Sequence, residues 1–256
     1  MAQNSAVPVK ASRTTMTIVE ALSETDGMGV SALAQEIEMP KSTVHDHLVT
    51  LERSGYLLND GETYRLSSRF LELGGYTRSR NPLFKTAYPE IDELANETGE
   101  HANLMIEEDG FGVFLYVGRG PDTVTVDAVH HTGMHVYLHT TALGKSILAH
   151  LPAERVDEII AKHGLPAAND RTITDRDALF DELENIRQQG YSTDDQERID
   201  GMRCIAVPIV TREDGVVGAI SISGPISRMQ GEYFENELPK MIQQKANIIE
   251  VNLNYA

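Results

Sequence analysis

Apolar positions recur at helical spacing through the first quarter of the chain and then give way to alternating helical and strand-like runs. Residues 14–22 carry Met16, Ile18, Val19 and Leu22 and stop at the turn residues Thr25-Asp26-Gly27. Ser31 has the place of an N-cap for a helix reaching residue 39, with Leu33, Ala34 and Ile37 on one side. Pro40 ends that helix and, with Lys41 and Ser42, opens a third over residues 42–54. There Val44, Leu48 and Leu51 fall at i, i+4 and i+7, ahead of Gly55 as a stop. Runs 56–58 and 63–66 flank Asn59-Asp60-Gly61-Glu62, whose Asp-Gly step predicts a hairpin. Residues 67–80 continue with helical spacing through Phe70, Leu71 and Leu73, weakened by Gly74-Gly75. Further on, strands are predicted at 101–106, 112–118, 124–129, 205–210 and 216–223, and helices over 82–97, 142–151, 152–163, 175–189 and 231–253. Thr174 with Asp177 imitates a capping box, and Phe234, Leu238, Met241, Ile242 and Ile249 form an apolar stripe in the last helix. The mixture predicts an α+β fold.

Two short helices joined by a tight Met39-Pro40-Lys41 turn have helix-turn-helix spacing, and the hairpin completes the outline of a winged DNA-binding domain. The same outline also serves purely structural ends. Opposite the apolar stripe of the third helix lie Ser42, Thr43, Asp46, Thr50 and Arg53, suited to phosphate anchoring and base-edge contact. Lys41 and His45 complete the candidate set, and the helix start offers amides to a phosphate. Asp46 repels phosphates unless it accepts from a cytosine amino group. For each of these residues a merely solvated face is the competing explanation.

The 256 residues suffice for about two domains, and 41% apolar with 24% charged residues argues for packed cores. The formal net charge of −17 changes the picture, because only 7 of the 22 basic residues are Lys. Either this is an ordinary acidic protein, or its carboxylate-rich, Lys-poor surface is adapted to molar intracellular salt, the reading favoured here. Residues 1–80 hold 8 Lys/Arg against 10 Asp/Glu, whereas residues 81–256 hold 14 against 29. The two regions therefore face different partners. No apolar run approaches the ~18 residues of a membrane helix, and the first ten residues lack the apolar core of a signal peptide, so a cytoplasmic protein without membrane contact is expected. The single Cys204 excludes an internal disulfide. His130, His131, His135 and His139 invite a metal reading, but Gly133 predicts a turn among them and structural or exposed histidines are preferred. No G-x-S-x-G, Walker or H-E-x-x-H motif is present, which speaks against an enzyme, and no cofactor is expected.

The run from Lys41 to Leu51 followed by Gly55-Tyr56-Leu57 closely resembles the recognition helix of the IclR family of transcriptional regulators. Residues 139–145 (His-Thr-Thr-Ala-Leu-Gly-Lys), 190–197 with 201–208, and 215–225 with Arg228 resemble three further segments of that family, in order from about Ser12 onward. Asp46 departs from the pattern, since many members carry Arg there. The resemblance implies a winged helix-turn-helix with the start of a linker helix over 12–72, preceded by a flexible tail at 1–11. It further implies a GAF-like α/β effector-binding domain over 73–256. It also implies an effector pocket at Ala142, Leu143, Asp194, Cys204, Ser221 and Ser223, with Leu143 standing where some members carry a smaller residue. Physically, the Ala142 and Leu143 amides start a helix that can hold a carboxylate, and Ser221 and Ser223 share a strand face. Satisfied strand hydroxyls and a small buried Cys remain the alternatives. The implied partners are double-stranded DNA with a palindromic operator, a small carboxylate or sugar-acid effector, and further copies of the chain in a homodimer or tetramer. Sugar or pentose catabolism genes are the expected targets. Regulation of aromatic-acid or acetate metabolism, or a metal- or metabolite-binding protein without DNA binding, are the alternatives.

Overall fold

The computed structural model describes residues 8–123 and 131–255; the strand expected at 124–129 and most of the expected N-terminal tail lie outside them. The chain divides into two compact units, Met1–Thr77 and Arg78–Ala256.

In the first unit, α1 (Lys10–Ser23), α2 (Val30–Glu36) and α3 (Lys41–Arg53) precede a hairpin of β1 (Leu57–Asn59) and β2 (Tyr64–Leu66). Helix α1 thus begins inside the stretch expected to be a flexible tail. Ile18, Leu22, Leu33, Ala34, Val44, Leu48, Leu51, Leu57 and Tyr64 form one core, so the predicted stripes face inward except at Met16, which is exposed. Ser31 is not an N-cap: α2 starts one residue earlier, behind Gly29 and without a side-chain cap. Nor does α2 reach residue 39. Glu38 takes φ 52° and the Met39 amide donates to Ala34 O at 2.9 Å, so the turn spans Ile37–Pro40 and not Met39–Lys41. At the hairpin tip, Asp60 accepts from the amides of Glu62 and Thr63, and Asn59 from that of Gly61. Helix α4 (Arg69–Ser79) forms despite Gly74-Gly75 and buries none of its residues.

The second unit is a six-stranded antiparallel sheet clad by helices on both faces. Its strands are β3 (His101–Glu108), β4 (Phe111–Arg119), β5 (His135–Tyr137), β6 (Ser192–Asp195), β7 (Met202–Thr211) and β8 (Gly215–Pro225), in the order β5-β4-β3-β8-β7-β6. On one face α5 (Pro82–Thr98) and α9 (Leu238–Asn254) pack Ile91, Leu94, Ile242 and Ile249 against Ile205, Val207, Ile220 and Ile222. On the other, α6 (Ala142–His150), α7 (Ala153–His163) and α8 (Arg176–Gln189) pack Leu143, Ile147, Val156, Leu179 and Leu183 against Met105, Phe114, Ala206 and Ala219. Because β7 and β8 are covered on both faces, they read as continuous apolar runs instead of alternating ones. The architecture is the expected α+β class. Two details differ from the sequence reading. The N-cap of α8 is Asp175, whose carboxylate accepts from the Ala178 amide at 2.9 Å, so Thr174 and Asp177 form no capping box. The last helix opens with a π-helical turn at Tyr233–Glu237 before α9 proper.

Candidate nucleic-acid interface and ligand pocket

Helix α3 starts behind Pro40 with no side-chain cap, so its first-turn amides point out of the helix end without a protein side chain over them. Lys41, Ser42, His45, Asp46, Thr50 and Arg53 are all exposed, and Thr43 is half-buried at the margin of the face. Asp46 is 84% exposed and lies 3.7 Å from His45 Nδ1. Thr50 Oγ1 donates to Asp46 O at 2.7 Å, which leaves that hydroxyl an acceptor toward any partner. Underneath, His47 Nδ1 lies 2.9 Å from Thr15 Oγ1, tying α3 to α1. The hairpin tip carries Asp60 and Glu62, both exposed, so the wing offers no cation at its end.

In the second unit the sheet register sets polar side chains in rows. Asp194 pairs with Cys204 and Cys204 with Ser223; one row over, Ala206 pairs with Ser221 and Ser221 with Asn103. These rows lie on the face covered by α6. The loop before α6 brings Thr141, Ala142 and Leu143 over them, because Gly144 lets the helix start approach Leu138: a Cβ at Gly144 would stand 2.0 Å from Leu138 O. Thr141 caps the helix by accepting from Gly144 N at 3.0 Å. One cavity results. It is lined by all six expected pocket residues (Ala142, Leu143, Asp194, Cys204, Ser221, Ser223) together with Phe114, Thr141, Arg198, Ile199 and Met202. As it stands, it leaves about 10 Å³ for the centre of a water-sized molecule, which is space for roughly one water.

Asn103 Nδ2 donates to Ser221 Oγ at 3.0 Å and to Ser223 Oγ at 3.2 Å. With their oxygens accepting from one amide, both hydroxyls retain protons to donate elsewhere. Burial pushes the Asp194 carboxyl up to about 6, against the pull of the Glu197 amide, which donates to Asp194 Oδ1 at 2.7 Å. Burial also pushes the Cys204 thiol far above its ordinary range, so it is a poor nucleophile. Lys145, 1% exposed, donates to Glu197 at 2.7 and 2.9 Å and to Glu182 at 3.1 Å, fastening the 196–201 loop to α6 and α8. Both carboxylates meet the ammonium where it has left water.

The family description "IclR helix-turn-helix domain" matches residues 15–61, and "Bacterial transcriptional regulator IclR C-terminal" matches residues 76–251. The chain belongs to the IclR family. A relative from Halobacterium salinarum, "Probable HTH-type transcriptional regulator ArcR", is 37% identical over 93% of this chain and 92% of its own length. The Escherichia coli "HTH-type transcriptional regulator KdgR" is 32% identical over 93% of this chain and 90% of its own. The crystal structure of the Thermotoga maritima IclR superposes with a TM-score of 0.77 at 30% identity, covering 96% of this chain and 98% of that one.

Membership makes the protein a transcriptional regulator with a helix-turn-helix, and not an enzyme. Among the described residues no helix is long and apolar enough to cross a membrane. Asn103, Arg198 and Lys145, which line or brace the cavity, were not singled out as site residues in the sequence. Asn103 carried a signal, a lone amide inside the apolar run 102–106, whereas Arg198 and Lys145 are indistinguishable in sequence from solvated cations. The histidines separate: His135 Nδ1 lies 3.0 Å from Gly133 O, and buried His139 has Nε2 3.0 Å from Pro166 O. His131 sits in the turn before β5, and His130 lies outside the described residues. Among the described residues no group of three or more His, Cys, Asp or Glu is placed to hold a metal ion.

Proposed function

We propose that this IclR-family regulator controls carbon-catabolism genes, with sugar or pentose breakdown foremost, in response to a small carboxylate or sugar-acid effector. The observation that carries the effector reading is the convergence of Ala142, Leu143, Asp194, Cys204, Ser221 and Ser223 on one cavity from separate stretches of sequence. Such a cavity offers hydroxyl donors, a carboxyl acceptor and helix-start amides to a polar acid. Lys41, Ser42, Thr43, His45, Asp46, Thr50 and Arg53 form the operator-reading face of α3. The protein works as a homodimer or tetramer on a palindromic operator, since two such helices span two half-sites. Exposed Met16, Leu71, Leu73 and Tyr76 in the first unit suit burial against a second copy. A cytoplasmic location in a halophile accords with the −17 net charge and with the Halobacterium relative.

An electrophoretic shift assay with the DNA upstream of its own and neighbouring genes tests this reading, with sugar acids, aromatic acids and acetate added in separate arms. A complex altered by a sugar acid is expected, and the alteration should vanish in Asp194→Ala and in Ser221→Ala/Ser223→Ala while DNA binding persists. Alteration by an aromatic acid or acetate alone reassigns the pathway. Calorimetry showing the effector bound at wild-type strength by both variants removes the pocket from the account.

A further inference from the structure

Strand β8 presents Ser221 and Ser223 to the cavity, and a third side chain, on β3, sets how they are used. Asn103 is 0% exposed and is the register partner of Ser221, with Ser223 two residues along the same strand face. Both N–H groups of its amide are committed there: Nδ2 donates to Ser221 Oγ at 3.0 Å and to Ser223 Oγ at 3.2 Å. The serines form the cavity wall, and Asn103 braces them without lining the cavity itself. Its Oδ1 is buried and meets no hydrogen-bond partner among the described residues. Backbone pairing already ties β3 to β8 from His101 to Met105, so the strands do not need this amide to stay joined. The amide costs stability instead, because an unmet buried acceptor is unfavourable. What it provides is a fixed direction for two hydroxyls.

We infer that Asn103 is a positioning residue that decides which end of the effector faces β8: by donating to both serine oxygens it makes Ser221 and Ser223 donors toward the cavity, so this wall receives the unprotonated oxygens of a carboxylate or carbonyl. This rests on the effector occupying the pocket proposed above. A serine hydroxyl carries one proton and two lone pairs, and an amide nitrogen accepts nothing. With a lone pair of each hydroxyl taken by Nδ2, its proton cannot return along that bond and points elsewhere. For Ser223 the register partner on β7 is Cys204, whose thiol is held protonated by burial and is only a weak acceptor. A ligand oxygen is the stronger partner, most of all when it carries charge. Across the sheet the polarity reverses. Asp194 pairs with Cys204 and Cys204 with Ser223, so one row over β6, β7 and β8 runs from a carboxyl acceptor to hydroxyl donors. A hydroxy acid satisfies both ends in one orientation, its hydroxyl toward Asp194 and its acid oxygens toward the serines.

Calorimetry on the full-length protein in molar KCl tests the assignment, with pyruvate and gluconate as the probes. Wild type is expected to bind at least one of them, and Asn103→Leu should weaken that acid roughly tenfold. A double-mutant cycle separates positioning from mere packing. Because Asn103 acts through the two hydroxyls, Asn103→Leu should cost clearly less on top of Ser221→Ala, or of Ser223→Ala, than it does in wild type. Isotope-edited infrared spectra at saturation read the donation directly: the carboxylate stretch of the bound acid should move between wild type and Asn103→Leu. Thermal melts establish that each variant is folded; should Asn103→Leu fail to fold, Asn103→Val carries the cycle. Losses that combine independently, an unmoved carboxylate stretch, or acid binding intact in Asn103→Leu while the serine variants lose it, overturn the role of Asn103 and leave the pocket standing. Acid binding intact in all of these variants places the effector elsewhere and overturns both. No binding of either acid by wild type at millimolar concentration overturns the carboxylate or carbonyl assignment.

Discussion

Asp194 concentrates the chemistry of the pocket in one side chain. In the unfolded chain its carboxyl has the ordinary value of 3.8, and in the folded protein about 6. Between those values the folded state keeps a proton that the unfolded state has released, so this residue lowers stability as pH rises through the window. Glu197 opposes ionisation, while Lys145, Arg198 and the Glu197 amide favour it, and burial outweighs all three. Asp194→Asn preserves the acceptor for the Glu197 amide and removes the titration. The stability of wild type relative to the variant should therefore decline by about 1–3 kcal/mol between pH 4 and pH 7. Urea melts at fixed salt across that range measure it, and parallel curves for the two proteins would refute it.

Two helix starts bear on the proposed function. Helix α3 begins behind Pro40 with open amides and ends at exposed Arg53. If Arg53 reads a base edge, Arg53→Ala should weaken operator binding by about 1–3 kcal/mol with circular dichroism unchanged. Unaltered affinity in a folded variant would assign reading to another face. Helix α6 begins with Thr141 capping Gly144 and with the Gly144 backbone against Leu138. A methyl group there meets the Leu138 main chain, not a flexible side-chain end, so Gly144→Ala must force the α6 start and the turn at Leu138 apart. A loss of about 1–3 kcal/mol or more is expected, read as a lower urea midpoint. A variant as stable as wild type would mean the α6 start shifts freely.

At the scale of the molecule, charge is distributed unevenly between the units, −2 over residues 1–80 and −15 over the remainder. Most DNA-binding proteins draw affinity from counterion release, with a salt slope near −0.9 per neutralised phosphate. At about 1 M salt the screening length is roughly 3 Å, so long-range attraction contributes little. The α3 face holds short hydrogen-bonding groups and few cations, and the hairpin tip is acidic. Operator affinity should then rest on hydrogen bonds and groove fit, persisting above about 1 M KCl with a shallow slope. Titrations showing a steep loss between about 0.2 and 1 M KCl, in protein that remains folded, would falsify a salt-adapted interface.

The sequence by itself determined the helix-turn-helix, the hairpin and most helices, because their apolar positions follow a local period and their ends carry Pro, Gly or Asp-Gly. Val44, Leu48 and Leu51 needed nothing beyond their spacing to be read as a buried stripe, and they are buried. Motif resemblance named Asp194, Cys204, Ser221 and Ser223 together, and alternation alone put the two serines on one face. Where local signals were short or ambiguous, the reading slipped: Ser31 and Thr174 are good caps by type, yet Gly29 and Asp175 take those positions. Strand β6 was illegible because Ser192-Thr-Asp-Asp has no apolar alternation; it is a strand only because β7 pairs with it. The same holds for the cations. Lys145, Arg198 and Arg203 look alike in sequence, but one is buried between two glutamates, one lines the cavity and one clamps the sheet edge. Which carboxylate a cation meets depends on residues tens of positions away. Only the packing of α6 and the 196–201 loop against the sheet decided it, by removing water from some charges and leaving it to others.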